Sequence, residues 1–449
     1  MKKQIVSLSL ALLTASGAQA ARVAVVDSGT DFQHAWLKNH AWLNEKEIAG
    51  NRVDDDNNGK VDDVSGWNFA DSYGRVFFPE HLQLVNPITY RLFEIIAHQQ
   101  AGRTTDEDKK FWEEHVLSLP KPRKEALTAH LNFFGQYAHG THVAGIVASQ
   151  DPEAKIMAAR VFADEPPAEY GKNKGWSLSE MFYKLLAMAS NGTFDLVAGY
   201  LHERQADVAN YSLGVPLHSI AKQVLALRGV KEPTAAELSA ETKLVFGQFE
   251  PRGRAWMTSA PHTLFVIAAG NDGNDNDALP MFPASIRVEN AVSVAATQDF
   301  DKLAKFSNYG KLSVDVAAPG VAIVSSVPGL DAGRTLPMSG TSMAAPYVTG
   351  VAARIKSLNP GLNPVQIKEV LMGTVDRKDW LQDKVISAGI VNAQRAYVAA
   401  EKSRQQALSQ AIAESRALVA DQVSAPAPAA STLKSIPADL RRMADSLVF

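Results

Sequence analysis

The 449 residues allow one large domain or two of ordinary size, and 46% apolar with 21% charged residues fits a globular chain with a sizeable core. A formal charge of -3 with no basic block argues against a nucleic-acid partner. With no cysteine the chain has no disulfides, no thiolate chemistry and no lipid-bearing cysteine, yet a core this large can stand outside the cell without staples.

The N-terminus reads as a secretory signal over residues 1–20. Lys2 and Lys3 are followed by a mostly apolar run (5–13) and by small residues in Ala18-Gln19-Ala20. That run is too short to span a bilayer, and no later segment is long enough, so the processed chain is expected to be secreted or periplasmic with no stable membrane insertion. Next, the apolar run 22–26 ends at Asp27-Ser-Gly29, the pattern of a buried parallel strand entering a loop.

Residues 70–137 differ from their surroundings, with more Glu, Lys, Phe and Leu. Thr105-Asp106-Glu107-Asp108 is a helix start, and 90–98, 111–117 and 124–133 carry helical patterns. This stretch reads as a largely helical insertion. Further buried-strand patterns follow at 156–162, 208–213, 264–269, 291–296 and 314–317, with helical patterns between several of them, including 178–189 and 344–358. Strands alternating with helices predict an α/β fold, a mostly parallel sheet covered on both faces, with its site at the carboxyl ends of the strands. The domain is placed at 21–398. A helical tail occupies 399–449, interrupted by an Ala/Pro linker at 424–431.

Four local sequences carry chemistry. Val23-Ala-Val-Val-Asp-Ser-Gly29 puts a carboxylate at a strand end. His139-Gly-Thr-His-Val-Ala-Gly145 offers two histidines at the start of an apolar helical pattern. Ile267-Ala-Ala-Gly-Asn-Asp-Gly273 ends a strand in Gly-Asn. Gly340-Thr-Ser-Met-Ala-Ala-Pro346 sets a serine at the start of a helix. Taken singly, Asp27 caps a turn, His139 is structural, Asn271 is a turn residue and Ser342 is an N-cap. Taken together, they supply a hydroxyl nucleophile, an imidazole base, a carboxylate that orients it, and an amide for a developing oxyanion.

These motifs, in the order Asp, His, Ser, resemble the signature set of the subtilisin-like proteases, the subtilases. The similarity covers most of 21–398 apart from insertions. It implies a three-layer fold and a serine endopeptidase acting on proteins or peptides through an acyl-enzyme, with no cofactor needed for the chemistry. Asp27 would orient, His139 act as base, Ser342 attack and Asn271 serve the oxyanion hole, while His142 belongs to the helix. Ser212, Leu213 and Gly214 resemble the edge that pairs with an extended substrate, facing Ala268, Ala269 and Gly270. A monomer is expected. An esterase is disfavoured, because Gly-x-Ser-x-Gly would need glycine where Ala344 stands. The competing class is a binding protein with a blocked site.

Residues 54–63, Asp-Asp-Asp-Asn-Asn-Gly-Lys-Val-Asp-Asp, place oxygen donors at alternate positions around a glycine, as a calcium loop does. Asp54, Asp56, Asn58 and Asp62 are the candidate ligands. Ser65 stands where a regular EF-hand has glutamate, and the alternative is an acidic surface turn. Asp27 follows the expected signal cleavage by seven residues, leaving no room for the N-terminal pro-segment common in the family. Either the tail 391–449 docks back on the protease as a substitute, or it is a surface helix with a loose end. The insertion reads equally as a lid, a partner surface or passive decoration.

Overall fold

The computed structural model describes residues 20–164, 186–188, 192–423 and 437–449. The expected signal segment except Ala20, most of the helix expected at 178–189, and the linker at 424–431 lie outside the described residues.

Nine strands form the main path of the central sheet: β1 (Arg22–Asp27), β2 (Gly66–Asn68), β3 (Lys155–Arg160), β4 (Val208–Tyr211), β5 (Leu264–Ala268), β6 (Ala291–Gln298), β7 (Val316–Pro319), β8 (Asp376–Arg377) and β9 (Gly389–Ile390). Their order is β8-β9-β7-β6-β5-β4-β1-β3-β2, and every pairing along it is parallel except β8 with β9. The α/β class with a mostly parallel sheet is thus the observed one. Its strands read as unbroken apolar runs because both faces are covered. Within β1, Val23 and Val25 pack to one face and Ala24 and Val26 to the other.

Eleven described helices are used below: α1 (Ile88–Gln100), α2 (Asp106–Trp112), α3 (Lys121–Gln150), α4 (Thr193–Glu203), α5 (Leu217–Leu227), α6 (Ala235–Ser259), α7 (Thr341–Leu358), α8 (Pro364–Gly373), α9 (Ala393–Lys402), α10 (Leu408–Leu418) and α11 (Ala438–Ser446). Helices α4 and α6 cover one face through Phe194, Tyr200 and Trp256. On the other face, α3 and α7 bury Val143, Val147, Met343, Val348 and Val351.

The sheet order sends β3 to one side of β1 and β4 to the other. That makes the carboxyl end of β1 a switch point, where crossing loops diverge and leave a crevice. Asp27 is the last residue of β1.

The sequence separates a helical pattern at 124–133 from one starting at His139. The structure joins them in α3, a single helix of 30 residues. Glycines 135 and 140 lie inside it, and each is where another chain segment approaches the helix. A Cβ on Gly140 would overlap the carbonyl oxygen of Gly29 in the loop after β1. The helix that carries His139 is therefore pressed against the loop that follows Asp27. Gly140→Ala is expected to cost about 1–3 kcal/mol of stability, the usual cost of overpacking. A thermal melt together with turnover checks it, and an unchanged melting point would refute the close approach.

Candidate active site

Asp27 is fully buried, and its Oδ1 accepts from the Ser28 N–H at 2.7 Å and lies 2.7 Å from His139 Nδ1. A carboxylate only accepts, so the assignment is Nδ1–H donating to Asp27, which leaves Nε2 as a lone-pair base. The neighbouring turn is fixed from two sides. Gly140 N–H donates to Ser28 Oγ at 3.1 Å, and the buried Arg160 donates through Nε to the Ser28 carbonyl at 3.0 Å. Arg160 closes β3 directly beside Asp27 in register.

Ser342 stands in the first turn of α7, where backbone N–H groups lack helical partners. Its Oγ donates to the Ser212 carbonyl at 3.2 Å, and its own carbonyl accepts from Ser212 Oγ at 2.9 Å. Asn210 Nδ2 donates to Ser212 Oγ at 2.9 Å, and Thr349 Oγ1 donates to Asn210 Oδ1 at 2.9 Å. This buried chain of hydrogen bonds holds the end of β4 against α7, so Ser342 and the strand edge keep one geometry. Asn271 Oδ1 accepts from both Thr341 N–H and Thr341 Oγ1 at 2.9 Å. The amide is thereby fixed with its NH2 end as the donor left for a ligand.

One cleft with a volume of about 380 Å³ is lined by Asp27, His139, Ser212, Leu213, Gly214, Ala268, Gly270, Asn271 and Ser342. Ala269 lies elsewhere: it packs with Ala295, Val314 and Ala317 beneath the sheet. Asp445 to Phe449 line the same cleft, and the Ser342 N–H donates to a main-chain oxygen of Phe449 at 3.2 Å.

His142, one turn along α3, is fully buried and donates from Nε2 to the Leu336 carbonyl at 3.0 Å. Burial, offset in part by the Leu336 hydrogen bond, pushes its pKa down to about 3. It stays neutral across the working range and belongs to the packing between α3 and the hairpin of Ile323–Ser326 with Thr335–Met338.

The acidic loop lies at the far end of the molecule's β1–β2 connection. Carboxylate oxygens of Glu47, Asp54 and Asp56 lie within 4.8 Å of one another. Asp56 Oδ1 and Asn58 Oδ1 are buried without hydrogen-bond partners. Burial raises the Asp56 pKa, but hydrogen bonds from Arg204 and Asn44 outweigh it and hold the carboxyl below its ordinary range. Asp62 is used differently: its two oxygens accept from the N–H groups of Gly50 and Arg52 at 2.7 and 3.2 Å. Sequence reasoning missed Glu47, because it comes from the preceding turn and carries no motif spacing.

A model described as the subtilase family matches residues 18–390, most of the chain. This chain belongs to the subtilase family. Among its curated subtilase relatives are a thermophilic serine proteinase of Bacillus sp. (strain AK1), 32% identical over 53% of this chain and 47% of the relative, and an extracellular protease of Xanthomonas campestris pv. campestris, 32% identical over 58% of this chain and 40% of the relative. Subtilisin Savinase of Lederbergia lenta is 30% identical over 58% of this chain and 77% of the relative. The chain spans about half the length of most curated subtilases that it matches. No helix among the described residues is long and apolar enough to cross a membrane.

The buried neutral His142 gives this subtilase an acid sensitivity of defined sign. Its folded pKa lies below the unfolded value, so the unfolded chain binds a proton that the native chain refuses as pH falls below 6.5. Stability is lost progressively from about pH 6.5 to about pH 3. At pH 4.5 this group alone accounts for about 3 kcal/mol, at 1.36 kcal/mol for each pKa unit. His142→Gln keeps a donor for Leu336 and removes the titration, so its melting point is expected to fall less between pH 7 and 4.5 than that of the native chain. Parallel losses in the two proteins would refute it.

Proposed function

We propose that this chain is an exported serine endopeptidase. The observation that carries the reading is the 2.7 Å contact between a fully buried Asp27 and His139, in one cleft with a serine at a helix N-terminus. Membership of the subtilase family supports the same assignment.

The chemistry follows from the groups. His139 Nε2 takes the Ser342 proton as Oγ bonds to the carbonyl carbon of the scissile peptide. Asp27 stabilises the imidazolium through Nδ1–H. The carbonyl oxygen becomes an oxyanion, for which the Ser342 N–H and the Asn271 side-chain N–H are the donors. His139 then passes its proton to the leaving nitrogen, and the C–N bond breaks to give an acyl-enzyme. Water, deprotonated by the same histidine, hydrolyses the ester and restores Ser342. No step calls on a cofactor. The substrate is a protein or peptide segment lying extended along Ser212–Gly214, opposite Ala268 and Gly270. Domain limits of 21–398, with an insertion at 70–137 and a tail at 399–449, fit this reading, as does a monomer.

Export is supported by the composition of residues 1–20, and the Xanthomonas relative carries the name extracellular protease. A bound calcium ion belongs to the same reading. Hard oxygen donors suit it, and the cluster of Glu47, Asp54 and Asp56 with the unpartnered Asn58 Oδ1 offers four of them. Asp62 would shape the loop through Gly50 and Arg52 rather than touch the ion. Calcium there would join the 44–63 loops and leave the chemistry untouched.

Ser342→Ala should abolish cleavage of casein without altering the fold. Asn271→Ala should lower kcat by about 10²–10³ with little change in KM, a magnitude known from subtilisin itself. Cleavage by Ser342→Ala equal to that of the native protein would refute the assignment. For calcium, a chelator should lower the melting point of the native protein but leave that of Asp56→Asn unmoved. No heat of binding in calorimetry with calcium would remove the ion from the reading.

A further inference from the structure

The last helix of the chain reaches the cleft through the insertion. On α11, Leu440 and Ala444 are buried, as is Leu447 just beyond it, in the same apolar cluster as Phe93, Ile96, Trp112 and Leu131 of α1, α2 and α3. Polar contacts fix the helix at both ends. Trp112 Nε1 donates to Asp439 Oδ1 at 3.3 Å, and Lys124 lies 3.6 Å from Asp439. Gln100 Nε2 donates to the carbonyls of Ala444 and Leu447 at 2.8 and 3.0 Å, capping the helix end.

From there the chain turns into the catalytic cleft. Phe449 N–H donates to the Ser339 carbonyl at 2.8 Å, and a main-chain oxygen of Phe449 accepts from the Ser342 N–H at 3.2 Å. That N–H is one of the two donors a developing oxyanion needs. The Phe449 ring stacks on Phe93 at 6.1 Å between centroids and stands 6.0 Å from the His139 ring. Gly135 of α3 makes room for it: a Cβ there would lie 2.5 Å from the ring. Gly340 does the same for the backbone, since a Cβ there would overlap a main-chain oxygen of Phe449.

We infer that the helices of the insertion are a docking surface for residues 437–449, and that the docked segment plugs the catalytic cleft by holding Phe449 across Ser342 and His139. The inference rests on the protease reading. It gives the insertion a partner within the chain and makes the tail a tethered competitor of substrate. The Phe449 backbone lies along Ser339 and Gly340, and its oxygen takes the place an oxyanion would occupy. Residues 424–436, rich in Pro, Ala and Ser, join this segment to the rest of the chain. Intramolecular binding of this kind has an effective concentration on the order of 1 mM, so even a contact with a Kd of about 0.1 mM keeps the cleft filled about ten to one. Cutting or displacing the tether lets the plug leave.

The test uses the full chain beside Phe449→Ala and Gly135→Leu. The first removes the ring. The second fills its seat from the other side with a residue of high helix propensity. The rate at which a fluorophosphonate labels Ser342 and the kcat/KM for a short peptide amide are both expected to rise about tenfold in each variant. A synthetic peptide of residues 437–449 should slow Phe449→Ala again by competing with substrate. Equal rates in all three proteins, with native melting curves, overturn the inference and leave the protease reading intact. If no protein is labelled, the protease reading is the one lost. Amide exchange at Ser339–Ser342 then decides the docking: slow in the native chain and faster in Phe449→Ala supports it, and equal exchange overturns it.

Discussion

A carboxylate buried completely at the end of the central strand is the constraint that organises this molecule. Asp27 leaves water altogether, and only Ser28 N–H and His139 Nδ1 meet its Oδ1, while Oδ2 has no hydrogen-bond partner among the described residues. Burial of an ion is unfavourable unless donors are held in place. Everything that holds those donors thereby supports the site. Gly140 allows α3 to press on the loop after β1, Arg160 clamps the Ser28 carbonyl, and parallel pairing with β3 and β4 fixes the strand end itself. The switch in sheet order at β1 opens the crevice, and the buried hydrogen-bond chain Thr349–Asn210–Ser212–Ser342 holds Ser342 at it.

Buried charge is handled the same way elsewhere. Arg204 lies 2.7 Å from Asp56 and 3.1 Å from Asp63, joining α4 to the acidic loop. Arg395 meets Asp376 at 3.0 Å and Asp421 at 2.7 Å and also donates to the carbonyls of Val375 and Val419, tying α9 to the sheet edge and to the chain beyond α10. Arg395 joins acceptors from separate segments, and Arg204 joins α4 to two carboxylates of one loop. Such clusters specify which loops meet, a task that non-directional apolar burial does poorly. In Arg204 this places a cation next to the carboxylates of a candidate calcium loop, offsetting part of their mutual repulsion before any ion arrives.

What was legible in the sequence is what depends on neighbours along the chain. Asp27, His139, Asn271 and Ser342 each sit in a motif whose glycines and apolar flanks announce a strand end or a helix start. Continuous apolar runs marked the sheet because a parallel sheet buries both faces. The illegible features are encounters between distant segments. Glu47 joins Asp54 and Asp56 across a turn, and Arg160 supports Ser28 across a strand pair; neither has a spacing that betrays it. The reason for glycine at 135 and at 140, a ring from residue 449 and a carbonyl from residue 29, is likewise remote in sequence. Ala269 alternates away from its neighbours Ala268 and Gly270, a consequence of strand period that a run of three small residues hides.

The insertion and the last helix share one apolar cluster with Val23 and Val25 of the catalytic strand. Trp112 and Leu131 from the insertion and Leu440 from the tail are all fully buried within it. The insertion is thus part of the core that supports β1 rather than an appendage to it. The last helix differs from it in one respect: it packs on α1 and leads Phe449 to Ser339 and Ser342, with no strand of its own in the sheet. Phe93 and Trp112 pack in one cluster with it, whereas Asp27, His139 and Ser342 are carried by β1, α3 and α7. On the proposed reading, a segment seated on the helices of the insertion and reaching the Ser342 N–H has the physical properties of a competitor. The same surface, once vacated, favours the tail's return, so lasting release requires the connection through residues 424–436 to be severed or the surface to be taken by another apolar partner.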